Sequence, residues 1–165
     1  MQVSPFSLEL EADVLGLIVG IQRDEFAIDI DAERQPDLRA IPSYYQVDSG
    51  NFWVAREGEK VIGTISLLDI GQGQGALRKM FVHRDFRGAE FGTARLLLET
   101  LLTWASGRGI REVFLGTTPF FHAAHRFYEK NGFVEIPEAR LPSKFPVMEV
   151  DTKFYWRKVS GSPAL

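Results

Sequence analysis

The chain has 165 residues, 45% hydrophobic and 12% aromatic, enough for one domain, 1–165, to build its own buried core without a metal or disulfide staple. It has no cysteine, which excludes disulfides, thiolate metal sites and a cysteine nucleophile. The net charge is −3 and no basic run stands out, which argues against nucleic acid as a partner. The apolar stretch 14–21 is too short to span a membrane and has no basic segment before it, so a cytoplasmic protein with no membrane partner is expected.

Along the chain, the ends 1–4 and 160–165 read as loose. Leu10, Val14, Leu17, Ile18 and Ile21 fall at helical spacing and predict a helix over 9–26, with a second, shorter helix over 36–45. Two strands follow, 52–55 and 61–68, joined at Glu57-Gly58-Glu59 as an antiparallel hairpin. The glycine run 71–75 reads as another hairpin turn, since no helix follows it to add a dipole for phosphate, and it leads into a strand over 76–83. Ala94, Leu97, Leu98, Leu101 and Ala105 predict a long helix over 89–107, ended by Gly107 and Gly109. A strand over 113–117, a helix over 121–130 stopped at Asn131-Gly132, and strands over 133–136 and 146–156 complete the chain. This order implies a mixed α/β fold: an antiparallel meander, then β-α-β-α-β, in one central mixed sheet with helices on both faces.

The chemistry concentrates between the third strand and the long helix. A strand-to-helix junction offers unpaired N–H groups and the positive end of a helix dipole, both suited to a phosphate. Gly88 and Gly92 let a ligand approach the backbone, and Arg87 adds charge, although the same residues also suit a structural turn. About 35 residues on stands Ala124-His125-Arg126-Phe127-Tyr128-Glu129-Lys130-Asn131-Gly132-Phe133. Taken together, the two segments closely resemble the GNAT superfamily of acyltransferases, over about residues 51–156.

That resemblance implies a pyrophosphate loop at Arg87, Gly88, Ala89, Glu90, Phe91 and Gly92, running into Thr93, and a pantetheine-binding strand edge at Met80, Phe81 and Val82. It implies that Tyr128 protonates the coenzyme sulfur; the residues alone are equally served by a packed core tyrosine. Glu90 stands where the family carries its middle glycine, Phe121 stands where it often carries asparagine, and its usual first strand is not legible before Glu9. The activity implied is acetyl transfer from acetyl-coenzyme A to a primary amine, by direct attack in a ternary complex and without a metal. The acceptor is a small molecule or a peptide, and a homodimer is left open. An inactive acyl-coenzyme A-binding module with the same fold, or an unrelated nucleotide-binding enzyme, would share many of these features.

The base is open among Asp69, Glu25 and His83. His122, His125 and Glu129 share a helical spacing, but surface positions on an amphipathic helix account for them better than a metal. Asp24, Glu25, Asp29, Asp31 and Glu33 either attract a cationic acceptor or form a solvated acidic surface. Arg78 and Lys79 are adjacent on a strand and should face opposite sides, so that one of them reaches the pocket and favours an acceptor with a carboxylate. Phe26, Tyr44, Tyr45 and Trp53 divide between pocket lining and core.

Overall fold

The computed structural model describes residues 1–25, 27, 31–119 and 121–160. Seven strands form one sheet: β1 (Gln2–Pro5), β2 (Asn51–Glu57), β3 (Lys60–Gly71), β4 (Gln74–Val82), β5 (Glu112–Thr117), β6 (Val134–Ile136) and β7 (Lys153–Lys158). Their order across the sheet is β1-β2-β3-β4-β5-β7-β6. Every neighbouring pair is antiparallel except β4 with β5.

Alternation along β2 shows why this middle of the sheet is apolar on every residue. Phe52 and Val54 point to one face, and meet Val14, Ile18 and Ile21 of α1 (Glu11–Asp24). Trp53 and Ala55 point to the other face, and meet Leu97, Leu98, Leu101 and Ala105 of α3 (Thr93–Gly107). Helices cover both faces, as the meander-then-alternating order implies.

Four local expectations change. Residues 2–5 are not loose: they pair with Arg56 to Trp53 of β2, and the Met1 ammonium lies 3.0 Å from Glu57. A four-residue edge strand ending in proline has no apolar alternation to reveal it in sequence. The span 36–45 is two short pieces, a 3-10 turn Pro36–Arg39 and α2 (Ile41–Tyr44), broken at Ala40 with φ −139°. The long helix starts at Thr93 rather than Ala89, because Gly88 and Gly92 adopt φ +99° and +68° and hold the preceding segment out of helical geometry. Of the expected run 146–156 only 153–156 is strand, and the strand continues to Lys158. The residues before it cross the end of β5, where the Thr152 N–H donates to the Thr117 carbonyl at 3.1 Å. The last helix, α4 (His122–Lys130), returns the chain from β5 to β6.

Leu101 is fully buried between α3 and the sheet. Leu101→Ala should lower unfolding free energy by about 2–5 kcal/mol in a denaturant titration. Arg95→Ala, which removes only an exposed pair with Glu99 on the same helix, should change it by about 0.5 kcal/mol or less. Equal losses would place α3 off the sheet.

Candidate functional site

The site begins with an interruption in the ladder between β3 and β4. Thr64 pairs with Phe81 and Ser66 with Arg78, so two steps on β3 face three on β4. The extra residue is accommodated at Lys79, which takes φ +53°, a left-handed conformation that costs a lysine energy. Two buried hydroxyls hold the displaced carbonyls: Thr64 Oγ1 donates to Lys79 at 2.7 Å and Ser66 Oγ to Arg78 at 2.7 Å.

This bulge corrects the expectation that Arg78 and Lys79 face opposite sides. Both charges act on one acidic group, Asp151, and both are influenced by Asp37. Lys79 Nζ donates to Gln35 Oε1 at 2.6 Å and lies 3.7 Å from Asp37, which also accepts from the Tyr45 hydroxyl at 2.6 Å. Burial lowers the Lys79 pKa, and Asp37 opposes that effect. The Arg78 guanidinium meets the Tyr44 hydroxyl at 3.0 Å and the Met148 sulfur at 3.4 Å. Tyr45 and Trp53 are otherwise core, Tyr44 is partly exposed, and Phe26 lies outside the described residues.

Just before the bulge, after Ala76, β4 and β5 part. They pair only from Gln74↔Glu112 to Ala76↔Phe114, which leaves the β5-facing edge of 77–82 without ladder partners. Met80, Phe81 and Val82 lie along this edge, all half-buried. Phe81 packs toward α1, while Met80 and Val82 pack toward α3.

At the foot of the opening is the glycine loop. Its positive-φ residues are Gly88 and Gly92, with exposed Ala89, Glu90 and Phe91 between them. The N–H groups of Ala89 and Glu90 have no hydrogen-bond partner among the described residues. Thr93, buried at the start of α3, has a hydroxyl that likewise lacks one. Arg87 does not project freely: it pairs with Glu25 at 2.6 Å and donates to the Val82 carbonyl at 2.8 Å.

Across the opening stands Tyr128, buried on α4 and packed against Phe133 and Tyr155 with centroids 5.5 and 6.0 Å apart. Among the described residues its hydroxyl donates only to the Met80 sulfur, at 3.7 Å, and a thioether is a weak acceptor. Burial, then the Asp151 charge, raise its pKa, so the phenol holds its proton at neutral pH.

Asp151 was not among the expected bases. It lies in a run that reads as strand, 23 residues beyond Tyr128, where Glu149 is a second carboxylate two residues before it and nothing local sets Asp151 apart. In the fold it seats against β5 where glycine leaves room, for a Cβ on Gly116 would come within 2.8 Å of its Oδ2. Burial raises its pKa to about 6, opposed by Arg78, a backbone hydrogen bond at Met148 and Lys79.

The three expected bases are engaged elsewhere. Asp69 accepts the N–H groups of Ser49 and Gly71, Glu25 binds Arg87, and His83 accepts the N–H of Asp85. His125 is buried rather than on the surface, bonded through Nε2 to the Thr118 carbonyl at 2.8 Å, and Glu129 accepts from Tyr155 at 2.7 Å. Of the acidic stretch, Asp24 is exposed, Asp31 accepts the Arg34 N–H, Glu33 pairs with Arg39, and Asp29 lies outside the described residues.

Known proteins share the sequence family and the fold. Residues 14–133 match the model of the Acetyltransferase (GNAT) family. A probable N-acetyltransferase camello of Xenopus tropicalis is 32% identical over 117 residues, 70% of this chain and 52% of its own length. An N-acetylaspartate synthetase of Danio rerio is 32% identical over 111 residues, 66% of this chain and 39% of its own. The chain thus spans about half, or less, of these relatives. A GNAT-family acetyltransferase structure from Staphylococcus aureus Mu50 superposes with TM-score 0.91 at 33% identity, covering 96% of this chain and 99% of that one. An acetyltransferase structure from Streptococcus agalactiae does so with TM-score 0.90 at 30% identity, covering 95% and 97%. With a matching family model over most of its length and the same fold end to end, the chain belongs to the GNAT family of acetyltransferases.

Proposed function

We propose that residues 1–165 act as one catalytic domain that transfers an acetyl group from acetyl-coenzyme A to a primary amine. The observation that carries this reading is the Tyr128 hydroxyl. It is buried in the mouth between β4 and β5, with only a sulfur for a partner. The unpartnered N–H groups of the glycine loop and the Thr93 hydroxyl suit the coenzyme pyrophosphate, next to the positive end of α3. The free edge at Met80, Phe81 and Val82 supplies backbone groups for the pantetheine amides. One relative is named for making N-acetylaspartate, itself an N-acetylated amine.

An alkylamine has a pKa near about 10.4 and arrives as an ammonium. In this reading it gives one proton to Asp151, and the free amine attacks the thioester carbonyl carbon. The tetrahedral intermediate collapses, the C–S bond breaks, and the thiolate takes the Tyr128 proton. The extra proton on the new amide nitrogen returns to the tyrosinate. Products are the amide and coenzyme A thiol, with one proton left on Asp151 for water. Raised pKa values suit both roles, keeping the acid protonated and placing the base near neutrality.

Acetyl-coenzyme A at 100 times its dissociation constant should stabilise the protein by about 2.7 kcal/mol, read from its melting temperature. Gly92→Glu should abolish that gain by forcing a bulky charge and a left-handed backbone onto the loop. A shift retained in this variant would place the pyrophosphate elsewhere.

Tyr128→Phe should lower kcat about 10²–10⁴-fold with the coenzyme dissociation constant unchanged. An activity loss below twofold would make the tyrosine structural. Because Asp151 must be ionised to accept a proton, kcat/KM should rise as pH climbs through about 6 and then level. Asp151→Asn should remove that rise; a rise that persists would assign it to another group.

A further inference from the structure

We propose that the acceptor is an amine that also carries a carboxylate, held by Arg78 with its amino group turned toward Asp151. This rests on the acetyltransferase reading and adds the chemical class of its second substrate.

Arg78 is a half-buried cation that has given up much of its water without gaining a carboxylate. Among the described residues no acidic oxygen lies within 4.0 Å of its guanidinium. Its hydrogen bonds go to a phenol and a thioether, and its guanidinium carbon lies 5.8 and 6.0 Å from the Tyr44 and Tyr45 ring centroids. Those contacts orient the group and spend few of its five N–H donors. The contrast with Lys79 is direct, because that neighbour has Asp37 at 3.7 Å inside the fold. A planar donor fork without an ionic partner is suited to a carboxylate from outside.

The place matches the chemistry. Arg78 is on the bulge just after β4 leaves β5, and Met148, whose sulfur its guanidinium meets at 3.4 Å, accepts the Asp151 N–H through its carbonyl at 3.0 Å, while the Asp151 charge acts on Tyr128. A ligand held by Arg78 therefore lies beside the two groups that move protons. Tyr44 and Met148, both 37% exposed, form its outer rim, so the cation can be reached from solvent beside an apolar edge. The charge balance favours the same ligand. When Asp151 takes the amine proton its negative charge disappears, which leaves Asp37 as the carboxylate whose field still acts on Arg78. A substrate carboxylate restores that balance during the step.

The test uses the full chain, acetyl-coenzyme A and matched amines, following thiol release and identifying products by mass. Each set pairs an α-, β- or ω-amino acid with its carboxamide and its decarboxylated amine. At least one acid should be acetylated with kcat/KM about 10²-fold or more above both partners, because a site built to bind a group rejects analogues that lack it. Arg78→Gln should raise KM for the acid and erase the preference, without changing acetyl-coenzyme A affinity. Arg78→Lys should recover part of the preference, since the charge returns without the fork. Amides or simple amines used as well as acids would overturn the proposal, as would a preference that survives Arg78→Gln. So would an enzyme that binds acetyl-coenzyme A yet acetylates no acid of the panel. If acetyl-coenzyme A itself fails to bind, the acetyltransferase reading falls first, and this inference with it.

Discussion

The bulge at Lys79 is the constraint on which the rest of the site depends. A regular β4 would keep its register with β3 and its alternation of faces, and would send Arg78 and Lys79 to opposite sides of the sheet. One extra residue changes both. It brings two basic side chains to the same acidic neighbours, and it lies where β4 departs from β5. The left-handed lysine that makes this happen is stabilised from β3, where Thr64 and Ser66 give their hydroxyl protons to the carbonyls that the ladder no longer uses. Two small polar residues inside a strand that is otherwise apolar are thus explained by the strand beside them.

Burial then sets the proton chemistry. The same loss of water raises Tyr128, raises Asp151 and lowers Lys79, each toward its neutral form. What differs is the company. Lys79 has Asp37 close by, Asp151 has two cations acting on it, and Tyr128 has only a sulfur and the Asp151 charge. In the proposed mechanism, an acid that keeps its proton and a base near neutrality therefore come from one environment. Both pKa values are pushed upward, and they stay on opposite sides of the working pH because they began on opposite sides of it.

The glycine loop leaves its backbone free for a ligand and its charged side chain engaged. Arg87 is the residue whose charge most suggests a phosphate contact, yet its guanidinium is committed to Glu25 and to the Val82 carbonyl. In that position it ties the end of α1 to the start of the loop and fixes the path of Gly88 to Gly92. Exposed Glu90 lies away from any ion pair among the described residues. The free donors are the N–H groups, whose direction is set by two left-handed glycines.

By itself the sequence determined the parts whose signals are local. Apolar spacing in α1 and α3, the hairpins at Gly58 and Gly71, and the glycines before α3 each act within a few residues, so period and turn chemistry reveal them. The order of elements then implied the mixed sheet with covered faces, and two motifs together implied the family. Tertiary structure decided what depends on a neighbour distant in the chain. Strand β1 exists because β2 offers a ladder, and the stretch before Lys153 fails to be strand because it must cross the end of β5. Arg78 and Lys79 share a side because of a register shift against β3. The Asp151 charge acts on Tyr128 because Gly116, 35 residues before the aspartate, has no side chain to keep its carboxylate away. Periodicity reports the face a residue prefers, and only packing reports which charges end up sharing it.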